Sequence, residues 1–211
     1  MRLLRSAKNR FGATDETGVF VMSTAGLEPI ADPSAFLLED RRPGAAGSIV
    51  FPGMEGTRPL LVEVQALVDE SKIPQPRRVA IGLDGRRLSL LTAVMSQTGI
   101  SLGPNDVFVA AAGGLDVREP AADLAMCLAL FSAVTHSPLD ERSVAVGEVG
   151  LSGEVRRVPA IARRLAEARR LGFQTAFVPF GFDEQVEGLR LIRVPDIAAA
   201  FQQARGSATR V

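Results

Sequence analysis

Glu119-Pro120-Ala121-Ala122-Asp123-Leu124-Ala125-Met126-Cys127-Leu128-Ala129-Leu130-Phe131-Ser132-Ala133-Val134 is the stretch that decides the fold. From Pro120 onward it has helical length, and Leu124, Met126, Cys127, Leu128, Leu130 and Phe131 leave it no polar face. A helix that is apolar nearly all round must be covered on most sides, so it belongs at the centre of a domain. The segments on either side alternate between strand and helix patterns. The expected class is therefore α/β (α+β): mixed sheets packed with helices around one buried central helix.

Upstream, residues 48–51 and 59–67 read as strands; in the second, Val62, Val64 and Ala66 alternate with Glu63 and Gln65, giving one buried and one more exposed face. Residues 78–82 form another strand, and Asp84-Gly85 opens a helix through Gln97 with Leu88, Leu91 and Met95 along one stripe and Gly99 as its C-terminal cap. Residues 106–111 make a strand that ends in a turn at Gly113-Gly114. Downstream, 143–147 is a strand and 151–158 a hairpin-like extension. Pro159 suits the first position of the next helix, whose core stripe is Ile161, Leu165 and Ala168 and whose end is Gly172. Strands at 174–178 and 189–194 and a helix at 196–204 complete the domain. The breaker cluster at 40–47 divides a basic segment and connector (1–45) from the main domain (46–206), with 207–211 as a frayed tail.

Composition narrows the chemistry. Apolar residues are 46% and charged residues 23% of the 211, the balance of a globular protein. No apolar run approaches the ~20 residues that span a bilayer, and Met1-Arg2-Leu3-Leu4-Arg5 lacks the apolar core of a secretion signal. One cysteine, Cys127, rules out an internal disulfide and fits a reducing cytoplasm. The formal charge is zero, but residues 1–14 hold Arg2, Arg5, Lys8 and Arg10 ahead of the first acid. Lys8 and Lys72 are the only lysines, and neither closes a Gly-Lys-[Ser/Thr] phosphate loop. One histidine and one cysteine cannot ligate zinc. His136, in Thr135-His136-Ser137-Pro138, reads as the cap of the central helix rather than as a catalytic base, and Cys127 as a small core hydrophobe.

Lys8-Asn9-Arg10-Phe11-Gly12 resembles the KNRFG motif that joins the ATPase core of bacterial RadA (Sms) proteins to their C-terminal domain, and Gly18-Val19-Phe20 fits the same context. Glu119-Pro120-Ala121-Ala122-Asp123-Leu124-Ala125, followed by Gly147-Glu148-Val149-Gly150-Leu151-Ser152-Gly153-Glu154-Val155-Arg156, resembles the Lon-protease-like domain of that family. Against Lon itself the departures matter. Lon's nucleophilic serine lies in Gly-Pro-Ser-Ala-Gly, where this chain has Ala121, and Lon's catalytic lysine falls at Ala162. No lysine follows Lys72, and arginine stays protonated, so a Ser-Lys dyad has neither nucleophile nor base.

The resemblance implies a non-proteolytic module of a DNA repair and recombination (branch-migration) ATPase, working in the cytoplasm on single-stranded or branched DNA. It further implies a homo-hexameric ring and a recombinase partner. ATP, magnesium and a four-cysteine zinc site would belong to the family's upstream domains, leaving this chain no cofactor of its own. Residue types alone favour a solvated basic linker whose Phe11 packs on the domain, whereas the resemblance makes Lys8, Asn9, Arg10, Phe11 and Gly12 contacts to DNA or to a neighbouring subunit's nucleotide. Arg156, Arg157, Arg163, Arg164 and Arg170 form either a phosphate-tracking surface or an ordinary exposed helix face paired through Glu167. The alternative to a DNA-contacting module is an oligomerisation and protein-interaction scaffold without intrinsic DNA binding.

Overall fold

The computed structural model describes residues 2–5, 17–24 and 26–208. The chain opens with a small antiparallel sheet, β1 (Arg2–Arg5), β2 (Thr17–Ser23) and β3 (Gly26–Pro29), in that spatial order. Helix α1 (Pro33–Leu38) follows; Asp32 caps it by accepting from the Ala35 N–H at 3.0 Å. The body then runs β4 (Ser48–Glu55), β5 (Arg58–Glu70), β6 (Arg78–Ile81), α2 (Gly85–Gln97), β7 (Asn105–Ala111) and, after a 3-10 turn at Pro120–Ala122, α3 (Asp123–Thr135). It closes with β8 (Ser143–Ala145), the short pair β9 (Glu148–Val149) and β10 (Val155–Arg156), α4 (Ile161–Arg170), β11 (Thr175–Pro179), β12 (Arg190–Val194) and α5 (Ile197–Ala208).

Seven strands make one mixed sheet in the order β12-β11-β8-β4-β5-β7-β6. β4 and β5 form a long antiparallel hairpin from Glu55↔Arg58 to Ser48↔Gln65. β8, β11 and β12 lie parallel to one another, so each needs a crossover, and the returns through α4 and the 180–188 loop supply them. α3 packs against β4 and β5, and its residues from Asp123 to Ala133 are all buried. It is the expected central helix: each large apolar side chain buried there contributes roughly 1.5–3 kcal/mol. α2 begins where the sequence places it, with the Asp84 carboxylate accepting from the Arg86 and Arg87 N–H groups. The mixed sheet packed with helices matches the expected fold class.

Several local readings are corrected. Residues 2–5, read only as part of the basic segment and connector, form a strand paired with β2 from Arg2↔Phe20 to Arg5↔Thr17. That pairing joins residues on either side of 6–16, so local periodicity could not reveal it. The breaker cluster at 40–47 is a turn within one body: Leu37 joins the main core, and the Ser34 hydroxyl accepts from the Leu61 N–H at 3.2 Å. Pro159 lies outside its helix because Ala160 takes a left-handed φ of 60° and α4 starts at Ile161. Glu63, assigned to the exposed face of its strand, is 4% exposed. The Ser48 hydroxyl and the Gln65 amide donate to its carboxylate and let it stay buried.

Candidate functional site

Ala121 and Ala162, the two positions that the resemblance to Lon matches to its dyad, lie at the starts of α3 and α4. Ala121 is buried in the turn that enters the helix, and its carbonyl accepts from the Gly147 N–H at 2.9 Å. The Leu124 N–H returns to the Gly147 carbonyl at 3.1 Å. Only glycine fits at 147, since a Cβ there would stand 2.8 Å from Val155 Cγ1. Ala162 lies at the start of α4, packed against the core. Both side chains are methyl groups, which supply neither a nucleophile nor a base. His136 cannot stand in for the base: it caps the far end of α3 with φ 49°, about 20 Å away at 1.5 Å per residue. Cys127 is fully buried, and burial pushes its thiol up.

Two buried ion pairs flank this helix start. Arg164 donates from Nη1 to Glu119 Oε1 at 3.0 Å and from Nη2 to Oε2 at 2.6 Å. The same guanidinium donates to the Pro52 carbonyl at 2.9 Å and the Pro159 carbonyl at 3.0 Å, and it lies over the Phe51 ring. Glu119 Oε1 also accepts from the Met54 N–H at 2.9 Å. The pair therefore satisfies a carbonyl and an N–H at the end of β4 that runs past its pairing with β8 at Val50, backbone groups that an added peptide strand would need. On the other side, Arg87 binds Asp123 through Nε at 3.2 Å and through Nη2, which also donates to the Val149 carbonyl at 3.0 Å. The Val149 N–H donates to Asp123 Oδ2 at 3.0 Å. Burial pushes the Asp123 carboxyl up against the pull of that guanidinium and N–H, while the carboxylate raises Arg87. No local pattern pointed to either pair, because their partners lie 45 and 36 residues apart.

The arginine surface is more divided than the sequence suggested. Arg164, counted there among the DNA contacts, is 3% exposed and committed to Glu119, so it is withdrawn from that surface. Arg170 is exposed but spans Asp32 and Glu167, and its guanidinium holds both carboxyls below their usual range. Arg156 pairs with Glu154, and Arg157 with Asp183 at 2.9 Å. Arg163 donates to the Thr57 carbonyl at 3.3 Å. Lys8, Asn9, Arg10, Phe11 and Gly12 lie outside the described residues; the strand positions on either side, Arg5 and Thr17, pair directly. Sequence reasoning did not single out Phe180. It is 67% exposed, and its only local signal is its place between Pro179 and Gly181.

Among the described residues, no group of His, Cys, Asp and Glu side chains is placed to hold a metal ion. No described helix is long and apolar enough to cross a membrane.

A family model described as subunit ChlI of Mg-chelatase matches residues 91–181. Similarity to DNA repair proteins named RadA is far more extensive. The RadA of Escherichia coli is 49% identical over 203 residues, covering 95% of this chain and 44% of that protein. The RadA of Haemophilus influenzae is 48% identical over 203 residues, covering 95% of this chain and 44% of the relative. The RadA of Bacillus subtilis is 42% identical over 209 residues, with 97% and 46% covered. The chain spans less than half the length of these relatives.

Proposed function

This chain belongs to the RadA family of DNA repair proteins, and from that premise we propose that it is a non-proteolytic, DNA-contacting and ring-forming domain of a recombination ATPase. The observation that carries the reading is the state of the dyad site. Ala121 and Ala162 stand where a nucleophile and a base would be, and Glu119 with Arg164 occupies the adjoining end of β4. A Lon-like body without peptide chemistry retains two uses, holding subunits together and presenting charge to nucleic acid.

DNA contact is assigned to Lys8, Asn9, Arg10, Phe11 and Gly12, supported by Arg156, Arg157 and Arg163. These side chains meet phosphates rather than base edges, so binding is sequence-tolerant and weakens with salt. Ring formation is heterologous, each subunit using two different surfaces, and the expected assembly is a homo-hexamer. The ATP, magnesium and zinc expected of the family do not fit this chain's own residues. Neither lysine closes a phosphate loop, and one cysteine with one histidine is short of a zinc set. The reading places the domain in the cytoplasm beside a recombinase.

A second reading, a scaffold with no DNA affinity of its own, is favoured by one observation. Arg156, Arg157 and Arg170 are each engaged by a carboxylate of the same chain. One experiment separates the two: salt-dependent binding of this chain to single- and double-stranded DNA, wild type against Lys8→Ala/Arg10→Ala, alongside mass in solution. Binding that falls steeply with salt and is lost in the double variant supports the first reading. A hexamer that binds no DNA at moderate salt supports the second and overturns the first.

A further inference from the structure

We propose that Phe180 is a stacking platform for one base of a single-stranded nucleic acid, with Arg157, which lies over the next residue, Gly181, taking the adjoining phosphate. This rests on the DNA-contacting reading above and names the strandedness that the domain would recognise.

Scattered exposed apolar side chains are ordinary on protein surfaces, so exposure alone singles out nothing. What distinguishes Phe180 is how it is held. Its N–H donates to the Val194 carbonyl at 2.9 Å, which fixes the residue to the end of the parallel strands. Two residues on, Phe182 is buried; its N–H donates to Pro179 O at 2.9 Å and its carbonyl accepts from Arg193 Nε at 2.7 Å. Arg193 Nη2 then holds the Glu184 carbonyl at 2.9 Å. The loop is pinned on both sides of the exposed ring, so the face is presented by fixed backbone and little entropy would be lost on binding.

The second observation is the guanidinium alongside. Arg157 runs so close over Gly181 that a Cβ at 181 would lie 3.0 Å from Arg157 Nε. Glycine at 181 is what allows the arginine to lie along the loop. Its only ion-pair partner among the described residues is Asp183, and the two side chains are 58% and 87% exposed. Pairs this open are weak and screened by solvent, so a phosphate can take the place of Asp183. At the other end of the loop, exposed Arg169 lies against Gly188 in the same way, with its Nε 3.2 Å from a Cβ position there.

An exposed aromatic ring with a guanidinium over the neighbouring residue supplies the stacking and the charge that single-strand binders use without regard to sequence. A base inside a duplex cannot offer its face, so the platform discriminates by strandedness. Asp183, Glu184 and Glu187 on the loop keep its net charge low. Stacking rather than charge must therefore supply the local affinity.

The test is fluorescence anisotropy with a short oligothymidylate and a duplex of equal length, each titrated at several salt concentrations against this chain. Phe180→Ala should bind the single strand about tenfold more weakly, with the salt slope and duplex binding unchanged. Phe180→Trp should restore affinity, and a strand carrying 2-aminopurine should lose its stacking quench only in the alanine variant. Arg157→Ala should lower the single-strand salt slope by about 0.7. Single-strand binding by Phe180→Ala equal to wild type, or equal loss on both substrates, overturns the platform while leaving the DNA-contacting reading intact. If the wild type binds neither substrate, that reading fails and the platform falls with it.

Discussion

Glu119→Ala would strip the carboxylate from a guanidinium that has nowhere else to go. Arg164 is 3% exposed, against 28% for Glu119. After the substitution it would keep only the Pro52 and Pro159 carbonyls, at 2.9 and 3.0 Å. Breaking a buried pair by removing one partner costs about 3–5 kcal/mol. The two remaining carbonyls and the partial exposure of Glu119 place this case near 3 kcal/mol. For a chain of this size that lowers Tm by roughly 6–12 °C. Arg164→Met keeps the apolar stem over Phe51 but leaves Glu119 and the Pro52 carbonyl short of a donor, a cost of roughly 2–3 kcal/mol. Replacing both residues, as in Glu119→Leu/Arg164→Met, removes both charges together and should cost less than the two single changes summed, with a coupling near 2 kcal/mol. Urea and thermal unfolding followed by circular dichroism measure all three. The reasoning fails if Glu119→Ala melts within about 2 °C of wild type, or if the single effects add to within about 0.5 kcal/mol in the double variant.

Three further expectations follow from the same geometry. Ala121→Ser/Ala162→Lys should show no peptide turnover and no labelling by serine-directed reagents while Glu119 and Arg164 still occupy that end of β4; turnover above background would refute that account of the closed strand end. Gly82 has φ +67°, and a Cβ there would stand 2.2 Å from the Leu115 carbonyl oxygen. Gly82→Ala should therefore destabilise the fold by about 2 kcal/mol or more in urea melts, and a neutral result would show that the 82–117 region yields freely. The third concerns acid. Arg170 holds Asp32 and Glu167 below their ordinary values, so these carboxylates stabilise the fold above about pH 4 and lose that contribution as pH falls through their lowered folded values. Unfolding at a series of pH values should show wild type more stable than Arg170→Met near neutrality and the gap closing below about pH 3; a gap constant across the range would refute the linkage.

The sequence by itself determined the elements whose signals are local. The all-apolar run after Pro120 could only be a central helix, and the Asp84 cap and the stripe of Leu88, Leu91 and Met95 marked α2 almost to the residue. Which side chains exist was legible too: alanine stands at 121 and no lysine follows Lys72. Family membership was legible through Lys8-Asn9-Arg10-Phe11-Gly12 and the Gly147-Glu148 block, since short motifs survive as strings.

What only the tertiary structure decided concerns partners distant in sequence. Arg164 reads as one more exposed arginine of a basic helix; its burial is set by Glu119 and the Pro52 carbonyl, which the fold brings from other segments. Glu63 sits on the polar side of an alternating strand and is buried because Ser48, Gln65 and, at 3.8 Å, Arg41 satisfy it. Residues 2–5 become a strand through pairing across residues 6–16. Phe180 and Phe182 carry the same local signal, yet Phe180 is exposed and Phe182 is buried. Periodicity reports the face a residue shares with its neighbours in the chain. Whether that face meets solvent, a counter-charge or another strand depends on contacts that no local pattern encodes.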